Sequence, residues 1–424
     1  MSSKANIQKI GLAPPNSNSY YWSLLPVGVD RPVGTKSSSS LMRKLTGNRA
    51  VCLVPDSEIS MAFQDPSRIF VVGGTGAQGF AVIRGLVSDK KYFVRALSRD
   101  PASRRATALT ALGNVSILKG TFADEAVLRA GFRDCDGAYV NIDGFNAGEK
   151  TEMYWAIRSY EIAIEEGVKF FVYGNLDYGL KQSGYDSRFR TGHYDGKGRV
   201  GEWILFQNQF NRERMGAALL TTGPYMEMAF SAMTPMTPSI ECGVATWRVP
   251  LGMGAVPHAA LEDCGYYARW LFDNQSRANG MDLAVAIEHV EYGKLAEAFE
   301  RVTGHPARYI DTELDAYWSG PLKAAASLPA GYNADPHDKS TMSFRDNFTG
   351  FWNLWKFGIV KRDYALLDEI HPTRIRSVES WLRREEELGK VQGKGGLWER
   401  IQPENLFKSP PLLKLSEDRR KGGL

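Results

Sequence analysis

The run Ile69-Phe70-Val71-Val72-Gly73-Gly74-Thr75-Gly76-Ala77-Gln78-Gly79 decides the fold of this chain. Four apolar residues read as a strand, and the glycines after them allow a tight turn whose backbone can approach phosphate oxygens. Two patterns overlap, Gly73-x-x-Gly76-x-x-Gly79 and Gly74-x-Gly76-x-x-Gly79. The segment Ala81 to Val87 then has the apolar spacing of a helix. Such a helix starts at the phosphates, where its unpaired N–H groups and positive dipole end stabilise an anion. Strand, glycine turn and helix in this order predict a dinucleotide-binding unit, with Gly73, Gly74, Thr75, Gly76, Ala77, Gln78 and Gly79 around the pyrophosphate.

Outward from this loop, strand and helix patterns alternate. Strands are expected at 68–72, 92–97, 115–118, 137–142, 169–173, 217–221 and 282–287, and helices at 77–88, 101–112, 124–133, 150–166 and 197–214. The alternation predicts an α/β fold, a doubly wound Rossmann-type parallel sheet with a smaller C-terminal substrate lobe. The nucleotide-binding domain is read as 67–235 and the lobe as 236–388, with helices at 259–272, 290–303, 311–318 and 376–388. The run near 282–287 would return to the sheet. Prolines at 224, 235, 238, 250 and 257 mark covering loops. The charged, glycine-rich segment 389–424 reads as a mobile tail. Residues 1–66, with Pro14-Pro15 and the serines 37–40, lack periodicity and read as a disordered extension. Their basic composition is that of a transit peptide, but no amphipathic helix is evident, and Met61 is the preferred start of the domain.

Composition narrows the class. A chain of 424 residues with 43% hydrophobic content can build a large core. No apolar run approaches the roughly 18 to 20 residues that span a bilayer, so a cytoplasmic protein without membrane contact is expected. The four cysteines, Cys52, Cys135, Cys242 and Cys264, form no Cys-x-x-Cys pair and suggest neither zinc nor a disulfide framework. A net charge of +4 with scattered basic residues gives no support to direct nucleic-acid binding.

The second strand ends in Leu97-Ser98-Arg99-Asp100, where a carboxylate would accept the ribose hydroxyls of NAD. Arg99 there favours a 2′-phosphate, and Ser98, Arg104 and Arg105 can assist, so NADP(H) is preferred over NAD(H). Asp100 argues the other way unless it caps the following helix. Further on, His193-x-x-x-Lys197 has the spacing of the Tyr-x-x-x-Lys pair of short-chain reductases, in which the tyrosine donates a proton. His193 would share a helix face with Lys197, and Tyr194 is the other candidate donor. The serine position after strand five falls on Tyr173-Gly174-Asn175. His193 and Tyr194 are read equally well as packing at a helix start. Met226, Met228, Met233 and Met236, and the cluster Phe348, Phe351, Trp352, Trp355 and Phe357, read as core.

Taken together, Val71 to Gly79, Arg99-Asp100-Pro101, Gly167 to Tyr173 and above all His193-Tyr194-Asp195-Gly196-Lys197-Gly198 resemble the NmrA-like family of atypical short-chain dehydrogenases/reductases. The likeness runs from about 67 to 388, and Arg362 to Pro372 is similar to fungal members. The resemblance implies Lys197 on the nicotinamide ribose, and Asp143, Gly144 and Phe145 along the ribose and nicotinamide. It places Tyr225, Met226, Glu227 and Met228 near the nicotinamide amide. Where the family has Gly-Asp after strand three, this chain has Gly120-Thr121, so Thr121 and Phe122 would take over the adenine contact. The activity implied is NADP(H)-dependent reduction of a small carbonyl, imine or enone, in a setting such as fungal specialised metabolism. The alternative is a non-catalytic NAD(P)-binding redox sensor acting on a protein partner.

Overall fold

The first strand shows how this sequence builds two faces at once. Ile69 and Val71 point into one apolar layer, with Val82, Ile83 and Leu86. Phe70 and Val72 point into the opposite one, with Leu128, Phe132 and Phe171. A strand buried on both faces must read as a continuous apolar run, as this one does. The computed structural model describes residues 67–408 except 233 and 336, together with residue 412. The expectations for residues 1–66, for Met233 and for most of the last sixteen residues lie outside the described ones.

The chain runs β1 (Ser67–Val72), α1 (Ala77–Val87), β2 (Tyr92–Ser98), α2 (Arg104–Thr110), β3 (Val115–Lys119), α3 (Glu125–Phe132) and β4 (Gly137–Val140). It continues through α4 (Gly144–Ala147), α5 (Glu149–Glu165), β5 (Phe170–Leu176), α6 (Gly179–Gln182), α7 (Gly192–Asn211) and β6 (Gly216–Thr222). Next come β7 (Ser239–Glu241), β8 (Val244–Val249), β9 (Val256–His258), α8 (Leu261–Asp273), α9 (Gln275–Ala278) and β10 (Asp282–Ala284). The last part holds β11 (Glu288–Val290), α10 (Tyr292–Thr303), β12 (Ala307–Asp311), α11 (Leu314–Ser319), α12 (Phe344–Lys356), α13 (Tyr364–Ile370) and α14 (Val378–Val391), then α15 (Leu397–Arg400) and α16 (Pro403–Leu406).

Seven parallel strands form the central sheet in the order β10-β6-β5-β4-β1-β2-β3. The order reverses between β1 and β4, and a crevice opens there at the carboxyl ends of the strands. The expected strand near 282–287 does return to the sheet, as the three residues of β10 beside β6. Helix α2 starts at Arg104, three residues later than expected. Ser103 caps it by accepting from the Ala106 N–H, while Asp100 turns the preceding loop. Helix α7 starts at Gly192, five residues earlier than expected, so His193 and Tyr194 stand inside its first turn.

The C-terminal lobe departs further from expectation. A three-stranded sheet in the order β12-β8-β7 and a two-stranded pair of β11 with β9 stand where covering loops were expected. Their core includes Trp247, Phe299, Trp352, Trp355 and Trp381. The reading of 389 onward as a mobile tail is corrected up to Lys408, because Leu397 and Ile401 bury their side chains in that same core. Glu386 and Glu399 accept the backbone N–H groups that start α15. Phe357, expected in the core, is instead exposed and rests edge-on against Phe189.

Candidate functional site

A cleft of about 1350 Å³ lies over the crevice, floored by the glycine loop and roofed by the C-terminal lobe. Gly73, Thr75, Gly76, Ala77 and Gln78 line it, whereas Gly74 and Gly79 pack beneath. Gly73 has a φ of +82°, and a Cβ there would stand 2.1 Å from the Asn141 carbonyl oxygen. At Gly79 a Cβ would stand 2.2 Å from the Gly73 carbonyl oxygen, whereas at Gly74 the first obstacle is the movable Ile83 side chain. Of the two overlapping patterns, the one beginning at Gly73 therefore carries the backbone requirement. Helix α1 opens at Gly76 with no side-chain cap, at the cleft floor, an arrangement suited to a pyrophosphate.

At one end of the cleft Ser98, Arg99, Asp100, Arg104 and Arg105 form a basic rim, with Thr121 and Phe122 beside it. The Ser98 hydroxyl is engaged by the Asp100 backbone, donating to its carbonyl oxygen at 3.0 Å and accepting from its N–H at 3.2 Å, so it shapes the turn. Thr121 likewise accepts from the Ala123 N–H at 3.2 Å.

Mid-cleft, Lys197 reaches from α7 to the ends of β4 and β5. Its Nζ donates to Asn141 Oδ1 at 3.0 Å, to the Ile142 carbonyl oxygen at 2.8 Å and to the Gly174 carbonyl oxygen at 3.3 Å. It also pairs with Glu152 Oε1 at 2.7 Å. The Asn141 amide turns its other end to the glycine loop, donating to Gln78 Oε1, which also accepts from Tyr139 at 2.9 Å. One buried network thus links the start of α1 to Lys197. Asp143, Gly144 and Phe145 line the cleft next to it, Asp143 capping α4 through the Phe145 N–H. Asn175 stands where a serine would be, donating to Thr221 Oγ1 at 2.9 Å.

The other half of the cleft is aromatic. Phe145 stacks on Phe348 with ring centres 5.8 Å apart, Phe344 and Phe351 flank Phe348, and His193 lies 4.6 Å from the Phe145 ring. Asn347 Oδ1 accepts from the His193 backbone N–H, and the same amide faces the ring Nδ1 with both ends, Oδ1 at 3.1 Å and Nδ2 at 2.9 Å, so it fixes the ring in place with either tautomer. Burial pushes the His193 pKa down to about 4, against the Asn347 hydrogen bond and with help from Lys197. The imidazole is therefore neutral near pH 7, a hydrogen-bond donor and not a ready acid. Tyr194 packs between Phe351 and Trp355, and burial holds its hydroxyl well above the ordinary tyrosine range.

A family model, NmrA-like family, matches residues 65–334. The chain belongs to the NmrA-like family. Among curated members, the NmrA-like family domain-containing oxidoreductase hkm9 of Aspergillus hancockii is 25% identical over 250 residues, 57% of this chain and 74% of that protein. The fold is shared with NmrA, a negative transcriptional regulator solved with NAD, at a TM-score of 0.60 and 17% identity over 79% of this chain and 99% of NmrA. It is shared too with the NADPH-dependent quinone oxidoreductase QOR2 of Escherichia coli, solved with NADPH, at a TM-score of 0.57 and 18% identity over 74% and 98% of the chains.

Of the family loop at 225–228, Tyr225 and Met228 line the cleft but Met226 and Glu227 do not, which corrects their assignment. The loop is a 3₁₀ turn, so residues three apart share a face and the two between them turn inward. Met226 joins the core with Met236, and Glu227 Oε1 accepts from the Leu261 N–H at the start of α8. Asn141, Glu152, Asn347 and Tyr332 belong to the cleft or its network but had not been singled out in the sequence. Asn141 follows an apolar strand at its carboxyl end, which is a usable signal; the others carry no local mark. No group of three or more His, Cys, Asp or Glu suited to a metal ion occurs among the described residues, and no helix among them is long and apolar enough to cross a membrane.

Proposed function

We propose that this chain is an NADP(H)-dependent reductase of a small apolar or aromatic carbonyl, imine or enone. The observation that carries the reading is one continuous cleft with a glycine-floored, arginine-rimmed half and an aromatic half, meeting at Lys197 and His193. When bound, nicotinamide supplies the hydride, and this chain's residues orient and dehydrate the partners. The glycine loop and the start of α1 receive the pyrophosphate, and Arg99 with Arg104 receives the 2′-phosphate. Lys197 takes the ribose hydroxyls. Phe145, Phe348 and Phe351 exclude water from the substrate, and the neutral His193 stands beside it as a hydrogen-bonding group for a developing oxyanion. Solved relatives support a nicotinamide ligand, NmrA with NAD and QOR2 with NADPH. A role in specialised metabolism and a cytoplasmic site of action belong to the same proposal. The first leans on the likeness to the Aspergillus hancockii oxidoreductase. The second leans on the lack of an apolar run long enough to span a bilayer.

A second reading, a binding protein that senses the cofactor without turnover and reports to a protein partner, is favoured by the proton sources. Neither His193, neutral near pH 7, nor Tyr194, held above its ordinary range, releases a proton readily. Consumption of NADPH in the presence of apolar carbonyl compounds separates the two. For the cofactor itself, Arg99→Ala is expected to weaken NADP⁺ by about tenfold or more in a binding titration while changing NAD⁺ by less than about threefold. Equal losses for both would remove the 2′-phosphate assignment.

A further inference from the structure

An ammonium has three N–H donors, yet Lys197 Nζ has four acceptors within 3.3 Å: Asn141 Oδ1, two backbone carbonyls and Glu152 Oε1. Any N–H turned toward a ligand is withdrawn from this set. Three of the four are neutral. Glu152 is different, because its carboxylate is completely buried, and Oε2 has no hydrogen-bond donor among the described residues. That oxygen is pressed against the start of α4, where a Cβ on Gly144 would stand 2.2 Å from it. The groups that face the carboxylate are Lys197 from α7, Asp143 ahead of α4, Glu149 one turn back on α5 and the Tyr173 ring of β5. Glu149 is itself paired with Arg190 and Arg199. Among the described residues Lys197 is thus the one positive charge paired with Glu152, and drawing it away leaves an isolated buried anion. Such an anion is far costlier than the neutral acid.

We propose that Glu152 is a proton-linked positioning residue, which holds Lys197 in the cleft wall and takes up one proton from solvent when a nicotinamide ribose draws the ammonium toward itself. The balance is simple: one O–H bond forms on the carboxylate, no bond in the ligand changes, and the buried site loses one negative charge. The proposal rests on the nicotinamide reading above. Its pH range follows from the surroundings. Burial, countered by Lys197 and reinforced by Asp143 and Glu149, pushes the Glu152 carboxyl up to about 7. Above that pH the carboxylate is ionised and ligand binding must bring a proton with it; below it the proton is already present.

The test is calorimetric titration of the full chain with NADP⁺ in buffers of different ionisation enthalpy, which counts protons per bound ligand. Uptake of about one proton is expected near pH 8, falling toward zero near pH 6. Wild-type affinity should weaken by up to about tenfold per pH unit above 7. In Glu152→Gln, a neutral isostere of the acid, binding should persist, and the extra proton taken up by wild type and the loss of affinity above pH 7 should both disappear. Any contribution of the 2′-phosphate is common to both proteins and cancels in their difference. Tight binding with equal proton counts in wild type and Glu152→Gln overturns the proposal and leaves the cofactor reading standing. A wild type that binds neither NADP⁺ nor NADPH overturns the cofactor reading, and this proposal with it.

Discussion

Gly73→Ala is expected to lower affinity for NADP⁺ by at least about 100-fold, about 2.8 kcal/mol, while the far-UV circular dichroism of the protein is retained. Two independent costs meet at this residue. Its φ of +82° is a region that side chains other than glycine rarely adopt. The new Cβ would also stand 2.1 Å from the carbonyl oxygen of Asn141. Backbone atoms cannot rotate aside, so either the loop or the residue after β4 must move. Both movements damage the cradle. A shifted loop misaligns the start of α1, and a shifted Asn141 disturbs the anchor of Lys197 and its bond to Gln78. Gly76→Ala is the matched control for folding, since a Cβ there meets only the Gly73 carbonyl oxygen, at 3.1 Å. A Gly73→Ala protein with wild-type affinity would show that the loop does not hold the dinucleotide.

Arg362→Ala is expected to cost about 3 to 5 kcal/mol of stability, read as a fall in the denaturant midpoint. Arg362 precedes α13 and its side chain is fully buried, forking onto Asp177 just beyond β5 at 2.7 and 2.8 Å. It also donates to the carbonyl oxygens of Val285 and Lys361, at 3.3 and 3.0 Å. One side chain therefore ties the C-terminal segment to the carboxyl edge of the sheet, next to the cleft. Truncation leaves the Asp177 carboxylate, which is 4% exposed, without its counter-charge. The double variant Arg362→Met with Asp177→Leu should lose much less, because removing both charges removes the unpaired one. A loss below about 1 kcal/mol for Arg362→Ala would mean that the pair is open to solvent or replaced by other contacts.

The nucleotide-binding half was legible in the sequence because its strands are buried on both faces and so read as apolar runs, separated by helices of regular period. The glycine loop, the strand ends and Lys197 follow from that frame. The C-terminal lobe was harder for a physical reason. Strands β7, β9 and β11 are three residues each, too short for a period of two to register. Helix α12 is legible in principle, since Phe344, Phe348, Phe351, Trp352 and Trp355 recur at helical spacing, but an aromatic cluster is equally the mark of a packed core. These rings serve both purposes, since Phe344, Phe348 and Phe351 line the cleft that the helix helps to build. Glu152 was invisible for the opposite reason. In Glu149-Lys150-Thr151-Glu152 it looks like one acid of a solvated helix start, and only the fold shows it fully buried beside Lys197. Asn347 lies 154 residues from the histidine it orients, a distance no local pattern spans.

In the proposed function the two halves of one cleft bring a nicotinamide and an apolar carbonyl together for hydride transfer. The most direct measurement is the rate at which the purified full chain oxidises NADPH across a panel of aromatic and aliphatic ketones, enones and imines. Turnover is expected to favour the aromatic members and to be abolished by Lys197→Ala, with NADPH still bound by Arg99 and the glycine loop. Tight NADPH binding with no oxidation across the whole panel would contradict it and leave the sensor in its place.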